Sequence, residues 1–441
     1  MSLARSIKLT PPQLLTSIFG GGIIIGALLL MLPFSTTEPI SWIDALFTST
    51  SAMTVTGLAV VDTGTLFTVF GQTIIMLLIQ VGGLGIMSFA VLIFIMLGKK
   101  IGFKERMMVQ HALNQTNIGG VILLVKRLFI FSFVIELIAL IFLAIRWVPE
   151  FGWEKGLFFS LFHSISAFNN AGFGLLSDSL VQYAGDPLIN ITISLLFIIG
   201  GIGFTVLADL WEKKSYKKLS LHSKLMIIGT FIINTVAMLF IFFLEYGNAK
   251  TLGSLSLGDK MWTSYFQAVS TRTAGFNSID IANLTDSTAF LMIILMFIGA
   301  GSASTGGGIK LTTFIVITFA VLSFIRGRED IVLLKRRLST VYVVKALAIS
   351  MIAIMFVFFA TFAINISEPN TPFLKLMFEV VSAFGTVGLS MGVTPELSYV
   401  GRVIIIFIMF LGKIGPLTLA FSLAKPKREK IRYPNEDVLI G

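Results

Sequence analysis

FTSTSAMTVTGL (Phe47–Leu58) is the first of four similar polar segments in a sequence that is otherwise strongly apolar. The other three are FHSISAFNNAGF (Phe162–Phe173), YFQAVSTRTAGF (Tyr265–Phe276) and FEVVSAFGTVGL (Phe378–Leu389). Each segment has an aromatic residue ten positions before its glycine, and the four glycines are 115, 103 and 113 residues apart. This regularity indicates an internal fourfold repeat in which the same local structure is built four times.

The glycines predict turns with unusual backbone torsions. Glycine accepts left-handed torsions without a Cβ clash, so four such turns around one axis could all point their carbonyl oxygens inward. A ring of inward carbonyls replaces the water around a cation, as in potassium channels. In one segment alone, small residues beside a glycine would more simply indicate close helix packing, but four matching copies favour an ion site. The predicted K⁺ filter comprises Thr54, Val55, Thr56, Gly57, Asn169, Asn170, Ala171, Gly172, Arg272, Thr273, Ala274, Gly275, Gly385, Thr386, Val387 and Gly388.

The composition is that of a protein that lies in lipid. Apolar residues make up 55% of the 441 positions and charged residues 13%, against about a quarter in ordinary soluble domains. The absence of cysteine excludes disulfides, thiolate metal sites and cysteine nucleophiles. Eight apolar runs are long enough to cross the hydrocarbon core as helices, and the first lacks a cleavage pattern, so we expect it to be retained. The runs are Leu14–Leu32, Leu66–Leu97, Val121–Ile145, Leu188–Leu207, Leu225–Leu244, Phe290–Phe324, Val341–Ile364 and Val403–Leu423.

The basic residues predict the orientation in the membrane. Of the 33 Lys and Arg residues, 24 lie near the chain ends or in alternate loops, whereas the loops that contain the four polar segments hold seven basic and fourteen acidic residues. The positive-inside rule then places both termini in the cytoplasm and the four segments on the outer side. The net charge of +10, distributed in this way, favours membrane lipid rather than nucleic acid as the partner. Acids on the outer side would raise the local cation concentration, although any one could equally serve only to solvate a loop; they include Glu38, Asp44, Asp62, Asp178, Asp186, Asp280, Asp286 and Glu396.

We therefore predict an all-α membrane protein of four repeats around a pseudo-fourfold pore. Each repeat contains a first span (M1), a short re-entrant pore helix and a second span (M2), which gives eight transmembrane helices and four re-entrant loops. Irregular backbone at membrane depth must be buried in protein or line water, so the four turns should share one axis. The pore helices are expected over Trp42–Met53, Lys155–Phe168, Lys260–Thr271 and Phe373–Phe384. The expected boundaries are a cytoplasmic N-terminus at 1–12, repeats at 13–100, 101–215, 216–330 and 331–424, and a cytoplasmic tail at 425–441.

A second glycine-rich feature follows each predicted filter by 24 to 28 residues, at Gly82–Gly85, Gly200–Gly203, Gly299–Ser302 and Gly412–Gly415. Close helix packing accounts for the first two copies. The third continues as GAGSASTGGGIKLTT (Gly299–Thr313), where three consecutive glycines disfavour a helix. We predict an intramembrane loop below the filter that acts as a gate. The predicted gate residues are Gly299, Gly301, Ser302, Ser304, Thr305, Gly306, Gly307, Gly308, Lys310 and Lys413.

Ionisable residues at membrane depth need a role or a partner, because a charge at the centre of a bilayer costs about 3 kcal/mol. Lys310 and Lys413 would raise a barrier to K⁺, and Lys413 could bond the carbonyls of the loop; alternatively, both could extend toward the cytoplasm. Arg272 would repel a cation in the filter, so we expect it to point behind the filter and to pair with an acid, for which Glu379 is a candidate. Glu136 is expected to face protein rather than lipid.

Together, these motifs resemble the Trk/Ktr/HKT superfamily of potassium transporters over residues 10–441, and within it the membrane subunits of Ktr systems. The residues that carry the resemblance are TVTGL (54–58), STRTAGFN (270–277) and GAGSAST (299–305). The resemblance implies a homodimer with one pore in each protomer, potassium selectivity through Gly57, and a cytoplasmic ring of RCK-type regulatory subunits. The regulatory nucleotide would bind that partner, so no cofactor is expected in this chain. Some Ktr systems are activated by sodium. The chain departs from the family at Lys413, where arginine is usual.

Two other classes of protein remain as alternatives. A secondary transporter that couples K⁺ to Na⁺ or H⁺ would also have repeats and broken helices, although its repeats usually contain several spans each. An enzyme in the membrane would need a cluster of bases or metal ligands, and three scattered histidines with no cysteine supply none. The sequence therefore predicts channel-like potassium uptake across a bacterial cell membrane, without enzymatic activity.

Overall fold

Each polar segment forms a short helix that ends in a glycine turn, with one helix before it and another after it. In this computed structural model, residues 11–85, 88, 107, 120–328, 330–415, 434 and 436 are described. The first group of helices is α1 (Pro11–Leu30), α2 (Trp42–Met53) and α3 (Val69–Leu84); the second is α4 (Val121–Phe151), α5 (Trp153–Phe168), α6 (Pro187–Ile202) and α7 (Phe204–Lys213). The third is α8 (Leu221–Glu245), α9 (Leu257–Ser270), α10 (Asp286–Phe297) and α11 (Leu311–Ile325), and the fourth is α12 (Thr340–Ser367), α13 (Phe373–Gly385) and α14 (Tyr399–Ile414).

The connections contain little regular structure. They include a one-turn helix (Thr63–Leu66) and 3₁₀ turns at Val181–Tyr183, Tyr216–Lys218, Ile281–Asn283 and Thr394–Glu396. An antiparallel hairpin of β1 (Val332–Leu333) and β2 (Arg336–Arg337) joins the third group to the fourth. The described chain is otherwise helical, as predicted, and this hairpin of two residues per strand, one strand apolar and the other basic, was not expected.

The distribution of polar and apolar side chains is the reverse of that in a soluble protein. The polar helix α2 is buried, and Thr48, Ser49, Thr50 and Ser51 have almost no exposed surface. The long apolar helices instead expose large side chains, such as Phe243 in α8 at 72% and Phe358 in α12 at 64%. Lipid is the solvent that accepts such a surface, since hydrocarbon favours apolar groups outside and leaves polar groups to find partners inside.

The short helices agree closely with the sequence prediction. Helix α2 has the predicted bounds and begins after Ser41, whose Oγ accepts the backbone N–H of Asp44 at 3.2 Å. Helices α5 and α9 begin two and three residues earlier than expected, after Gly152 and Ser256, because these residues provide the N-terminal boundary. Helix α9 ends one residue early, and α13 extends one residue further, to Gly385.

The second long segment of each group is tied at its start to the end of the first. The residue that caps the second helix contacts a group at the end of the first helix or just after it, so the two ends are fixed together on one side of the molecule. The pairs are Thr68 with the carbonyl of Phe34 (2.7 Å), Asp186 with Arg146 (2.9 Å), Thr285 with Glu245 (2.8 Å), and the N–H of Ser398 with Glu368 (3.0 Å).

The four groups close into a ring. Helix α3 packs on α5, α6 on α9, and α10 on α13, so each second helix contacts the short helix of the next group. Helix α14 completes the cycle by packing on α2, where Arg402 forms an ion pair with Asp44 across most of the chain length. This cyclic packing gives the short helices equivalent places around one axis.

Glycines let these helices come close to one another. A Cβ on Gly82 would lie 1.9 Å from the carbonyl oxygen of Met53, one on Gly200 would lie 1.9 Å from that of Phe168, and one on Gly412 would lie 2.0 Å from that of Phe384. Each of these carbonyls belongs to the residue four positions before the turn glycine. The packing role expected for the first two copies of the motif is therefore present, and it extends to the fourth.

The second spans of the second and third groups are interrupted where continuous helices were expected. Helix α6 stops before Gly203 (φ 107°) and α7 continues at an angle of 93°, so the run 188–207 is not one straight helix. Among the described residues, α1, α4, α8 and α12 are long and apolar enough to cross a membrane, and the bent α6–α7 pair makes a fifth. The predicted basic residues Lys99–Arg106 and, apart from residues 434 and 436, the tail 425–441 lie outside the described residues, so the eight-span count stays a prediction.

We predict that Gly82→Ala destabilises the protein by about 1–3 kcal/mol or more, because the added methyl group must displace the backbone at Met53. Gly20→Ala is the matched control, since Gly20 also lies in a helix but a Cβ there would have nothing within 4 Å. This control should be neutral or slightly stabilising. Thermal unfolding of both variants in detergent would test the difference, and equal midpoints would contradict the packing.

Candidate functional site

The four glycine turns meet at the axis of the ring. A Cβ on Gly57 would lie 2.4 Å from the carbonyl oxygen of Ala171, and one on Gly172 would lie 2.9 Å from the Cα of Gly275. The contacts continue, since a Cβ on Gly275 would lie 2.2 Å from the oxygen of Val387, and one on Gly388 would lie 2.1 Å from that of Thr56. Each glycine thus abuts the next turn around a closed ring, and a larger residue at any of the four positions would have to displace backbone.

The turns share one backbone conformation. The glycines have φ of 91°, 67°, 78° and 94°, and the residues two positions earlier also have positive φ. These earlier residues are Val55 (51°), Asn170 (57°), Thr273 (70°) and Thr386 (49°). Alternation of left- and right-handed residues brings successive peptide groups to the same side of the chain. Left-handed glycine was expected, but the second left-handed residue of each turn was not, because the sequence there is not glycine.

The backbone N–H groups of the turns are bonded on the side of the short helices. The N–H groups of Thr56, Ala171 and Val387 each donate at 2.8 Å to the carbonyl of a serine five residues earlier, and that of Ala274 donates to Ser270 at 3.1 Å. Within the described residues, no hydrogen bond ends on the carbonyl oxygens of Thr56, Ala171, Ala274 and Val387. These oxygens lie beside the neighbouring glycines and are available to coordinate a cation that binds oxygen ligands.

Two serines support their own glycines. Ser51 Oγ accepts the N–H of Gly57 at 3.0 Å, and Ser382 Oγ accepts that of Gly388 at 3.1 Å. Ser166 occupies the same position in the second turn, but its buried Oγ has no partner among the described residues. In the third turn Val269 replaces this serine, and the hydroxyl of the following Ser270 donates to the carbonyl of Phe276. The repeated serine was visible in the sequence, although its bond to the glycine N–H was not.

The residue three positions before each glycine points behind the turn. Thr54 Oγ1 donates to the carbonyl of Thr50 at 2.7 Å, and Asn169 Nδ2 donates to Gln80 Oε1 at 2.6 Å. Arg272 also lies behind its turn, as expected, with Nη2 at 3.3 Å from the carbonyl of Gly299. Gly385 has no side chain at this place, and a Cβ there would lie 2.5 Å from the carbonyl of Met296.

The expected ion pair between Arg272 and Glu379 is wrong. Arg272 Nη1 instead contacts Asn234 Oδ1 at 3.4 Å, and no carboxylate pairs with it in the described part of the chain. Glu379 accepts the N–H of Met391 at 3.1 Å and the hydroxyl of Thr394 at 2.7 Å, so it holds the segment that follows the fourth turn. The two side chains therefore have separate sets of partners, which sequence spacing does not reveal.

The predicted loop lies directly below the turns. No helix forms between Phe297 and Leu311, so the non-helical stretch ends three residues earlier than Thr313. In three of the turns, the loop approaches the left-handed residue that lies two positions before the glycine. Thr305 Oγ1 contacts Asn170 Oδ1 at 3.0 Å, and the N–H of Gly307 donates to Thr386 Oγ1 at 2.8 Å.

Close contacts seat the loop under the third and fourth turns. A Cβ on Gly306 would lie 2.3 Å from Thr273 Oγ1, and one on Gly308 would lie 3.2 Å from the Cα of Gly385. The glycine run therefore fits backbone into a space with no room for side chains. Sequence reasoning placed this loop below the filter, but it did not identify the polar side chains that receive it.

The two ends of the loop are joined to each other and to neighbouring helices. The N–H of Gly299 donates to the carbonyl of Ile309 at 2.8 Å, and that of Gly301 donates to Gly201 at 2.8 Å. Ser304 Oγ donates to the carbonyl of Gly301 at 2.6 Å, while Ser302 contacts Thr312 at 3.2 Å. These bonds satisfy backbone groups that the missing helix leaves open.

Both lysines bond the loop rather than extending to the cytoplasm. Lys310 Nζ donates to the carbonyl of Gly306 at 2.6 Å, and Lys413 Nζ donates to that of Thr305. The contact expected between Lys413 and the loop is therefore present, and the alternative of two extended lysines does not describe these side chains. Two lysine side chains thus hold the consecutive carbonyls of Thr305 and Gly306 beneath the four turns.

A cavity of about 330 Å³ lies on the other side of the ring. All four turn glycines line it, together with Asp62 and Asp280. Other acids expected at this mouth form ion pairs instead, for example Asp44 with Arg402 and Asp186 with Arg146. Among the described residues, no three His, Cys, Asp or Glu side chains are grouped to hold a metal ion.

Comparisons with known proteins identify similar sequences along nearly the whole chain. The family model TrkH, described as cation transport protein, matches residues 22–432. The Ktr system potassium uptake protein B of Bacillus subtilis is 60% identical over 435 residues, which are 99% of this chain and 98% of that protein. The protein of the same name from Vibrio alginolyticus is 44% identical, over 98% of this chain and 95% of its own length.

Two further proteins extend the similarity. The potassium/sodium uptake protein NtpJ of Enterococcus hirae is 37% identical over 98% of both chains. The crystal structure of the potassium transporter TrkH from Vibrio parahaemolyticus superposes with a TM-score of 0.74, covering 96% of this chain and 87% of that one. At 20% identity this likeness concerns the fold alone. The relatives in these comparisons are named as transporters and not as enzymes.

We predict that Ser51→Ala and Ser382→Ala each destabilise the protein by about 1–3 kcal/mol, because a buried glycine N–H loses its acceptor. Ser166→Ala is the matched control at the equivalent position, where the hydroxyl has no partner among the described residues. Thermal unfolding in detergent should rank the control closest to the parent protein. The largest loss in Ser166→Ala would contradict the described bonds.

Proposed function

The chain belongs to the TrkH family of cation transport proteins, and from this premise we propose that it mediates potassium uptake across a bacterial cell membrane. The single observation that carries the proposal is the closed ring of glycine turns with unbonded carbonyl oxygens. The names of relatives with 60% and 44% identity support potassium as the ion. No enzymatic activity is proposed.

The proposed filter is formed by residues 54–57, 169–172, 272–275 and 385–388. A K⁺ ion that enters such a ring exchanges hydration water for carbonyl oxygens. The N–H groups are bonded to the short helices, away from the axis of the ring, so the carbonyl oxygens keep their positions when the ion leaves. The carbonyl dipoles, rather than any carboxylate in the ring, would stabilise the ion. Asp62 and Asp280 in the outer cavity would raise the cation concentration at the entrance.

We propose that the loop 299–310 closes the pathway below the filter. Its backbone fills the space under three turns, and Lys310 and Lys413 add positive charge there. A segment held by a few hydrogen bonds can exchange between two positions that differ by a few kcal/mol, and a partner that binds one position better can shift the balance. Opening of the pathway would require the hydrogen bonds from Lys413 to Thr305 and from Lys310 to Gly306 to break at the same time.

The proposed assembly is a homodimer with a cytoplasmic ring of RCK-type subunits that bind the regulatory nucleotide. Support comes from relatives named for a Ktr system, a name that implies more than one component. The chain would lie in the membrane with multiple spans and both termini in the cytoplasm, which leaves the hairpin β1–β2 and its arginines on the partner's side. Sodium activation belongs to this same proposal.

Coupled symport with Na⁺ or H⁺ is the second candidate. The observation that favours it is the 37% identity to a protein named for potassium and sodium uptake. The two candidates differ in what drives the flux. K⁺ or Rb⁺ entry into vesicles with a potassium gradient but no sodium or proton gradient would support a channel-like pathway, whereas flux that requires a second ion gradient would support symport.

We predict that Gly57→Ser lowers K⁺-over-Na⁺ discrimination about tenfold or more, since a side chain must displace the carbonyl of Ala171 and a free-energy change of about 1.4 kcal/mol suffices for tenfold. Gly152→Ser is the matched control, because Gly152 has a similar φ of 83° but nothing within 4 Å of a Cβ. Uptake kinetics with each ion in potassium-deficient cells would measure both variants.

Bulkier residues at Gly172, Gly275 or Gly388 should impair uptake for the same reason. Unchanged potassium affinity and selectivity in all four filter variants, with normal membrane insertion, would refute the filter.

We predict that deletion of several residues from 302–308 raises transport and weakens its dependence on the regulatory partner. Lys413→Ala should act in the same direction, by roughly tenfold in the open-to-closed ratio, because it removes one charge-assisted hydrogen bond to the loop. Lys250→Ala, which removes an exposed lysine on the outer side, is the control. Initial rates of potassium uptake with and without the partner are the measurement; lower or unchanged rates in correctly inserted protein would show that the loop is packing only.

A further inference from the structure

Glu136 is a carboxyl group on the buried face of a helix whose opposite face is apolar and exposed. It lies near the middle of α4 and is 5% exposed, whereas Phe133 and Leu137 on the same helix are 54% and 59% exposed. A carboxylate at this depth is costly unless the protein provides partners or uses its charge. No basic side chain lies within salt-bridge distance of Glu136 in the part of the chain that the structure describes. Its partners are therefore neutral.

The partners form a short chain of amides that leads to the second filter turn. Gln80 Nε2, from α3, lies 3.1 Å from both carboxylate oxygens of Glu136. Gln80 Oε1 in turn accepts from Asn169 Nδ2 at 2.6 Å, and the same Nδ2 lies 3.4 Å from Glu136 Oε1. The backbone is tied as well, since Ser164 Oγ donates to the carbonyl of Glu136 at 2.6 Å. Three helical segments from two groups thus converge on one side chain.

Glu136 at one end and the backbone carbonyl of Ile165 at the other set the direction of the bonds in this chain. Both of its oxygens accept, so Gln80 must turn its NH₂ group toward Glu136 and its oxygen toward Asn169. Asn169 must then present its NH₂ group to Gln80, which leaves its own oxygen against Gly83. A Cβ on Gly83 would lie 2.0 Å from that oxygen, so the amide is enclosed on both sides. Glu136 thus helps to orient Asn169, whose Nδ2 also donates to the carbonyl of Ile165 at 2.9 Å.

Asn169 occupies the position three residues before Gly172, within the second proposed filter segment. The equivalent residues in the other turns have different anchors: Thr54 bonds its own helix, and Arg272 bonds the loop at Gly299. Among the described residues, the second turn is thus the one whose anchor leads to a carboxylate. This places a buried carboxyl group behind one side of the ring, whereas a guanidinium group, that of Arg272, lies behind the next.

We propose that Glu136 is a positioning residue for cation discrimination, which holds the second filter turn through Gln80 and Asn169. The proposal rests on the filter proposed above. Loss of the carboxylate frees the amide of Gln80 to reverse. Asn169 then loses its acceptors on Gln80 and Glu136 and keeps only the carbonyl of Ile165, so the second turn is held less firmly. A filter whose oxygens can adjust no longer favours one ion radius, so affinity for K⁺ and its preference over Na⁺ both fall, while the maximal rate is set by the gate and stays nearly constant.

The test is the kinetics of K⁺ and Na⁺ uptake by Glu136→Gln in the full chain with its partner. The amide can offer only one acceptor where the carboxylate offers two. We expect KM for K⁺ to rise and discrimination to fall by roughly tenfold, the change that a lost hydrogen bond to a charged group produces. Gln80→Met should act in the same direction, and it carries the test if Glu136→Gln fails to insert.

Glu245→Gln is the matched control, because Glu245 is a fully buried carboxylate that bonds Thr285 and Thr251 and no filter residue. It should leave KM and discrimination unchanged. Asn169→Leu should reproduce the defect, and adding Glu136→Gln to it should cause little further loss, because the two residues act as one unit. Additive losses, or a Glu136→Gln variant that behaves like the control, would overturn the proposal.

Gly172→Ala separates this proposal from the one on which it rests. If Gly172→Ala alters discrimination but Glu136→Gln and Gln80→Met do not, the filter stands and the positioning role fails. If Gly172→Ala and the other filter variants also leave discrimination unchanged, the filter itself fails.

Discussion

The absence of space for a Cβ at four glycines is the constraint on which the rest of the structure depends. Each glycine lies against backbone of the next turn, so the four segments can meet only as bare main chain. Main chain in a hydrocarbon environment must have its polar groups satisfied. Here the N–H groups are bonded to the short helices, and the described residues offer no donor to the carbonyl oxygens at the axis. An arrangement with exposed oxygen and bonded N–H favours a cation over an anion or a neutral solute.

The surrounding helices can be understood as the frame that this meeting point requires. Polar short helices are buried because their carboxyl ends must reach the axis, and long apolar helices cover them against lipid. Close approach depends on Gly82, Gly200 and Gly412, which let the second helices contact the last carbonyls of the short helices. The same frame is locked on the far side by caps such as Thr285 with Glu245. The symmetry is therefore a property of packing and not only of sequence similarity.

The loop in the third group breaks that symmetry for a physical reason. Three groups offer a polar side chain at the second left-handed position, namely Asn170, Thr273 and Thr386, whereas the first offers Val55. The loop bonds or abuts all three polar ones, and its glycines leave room for them. Asn170, Thr273 and Thr386 also belong to the proposed filter. A change in the position of the loop would therefore alter its direct contacts with the filter.

The sequence by itself determined the class of protein, the four short helices, the glycine turns and the interruption in the third group. These follow from local rules: apolar length, positive φ tolerated by glycine, and the inability of three consecutive glycines to sustain a helix. Tertiary structure alone decided which side chains meet. Arg272 bonds Gly299 and not Glu379. Glu136 reaches Asn169 through Gln80, which is 56 positions from Glu136 and 89 positions from Asn169 in the sequence. Such pairings depend on the rotation and depth of packed helices, which are set by the sum of many small contacts and not by any spacing along the chain.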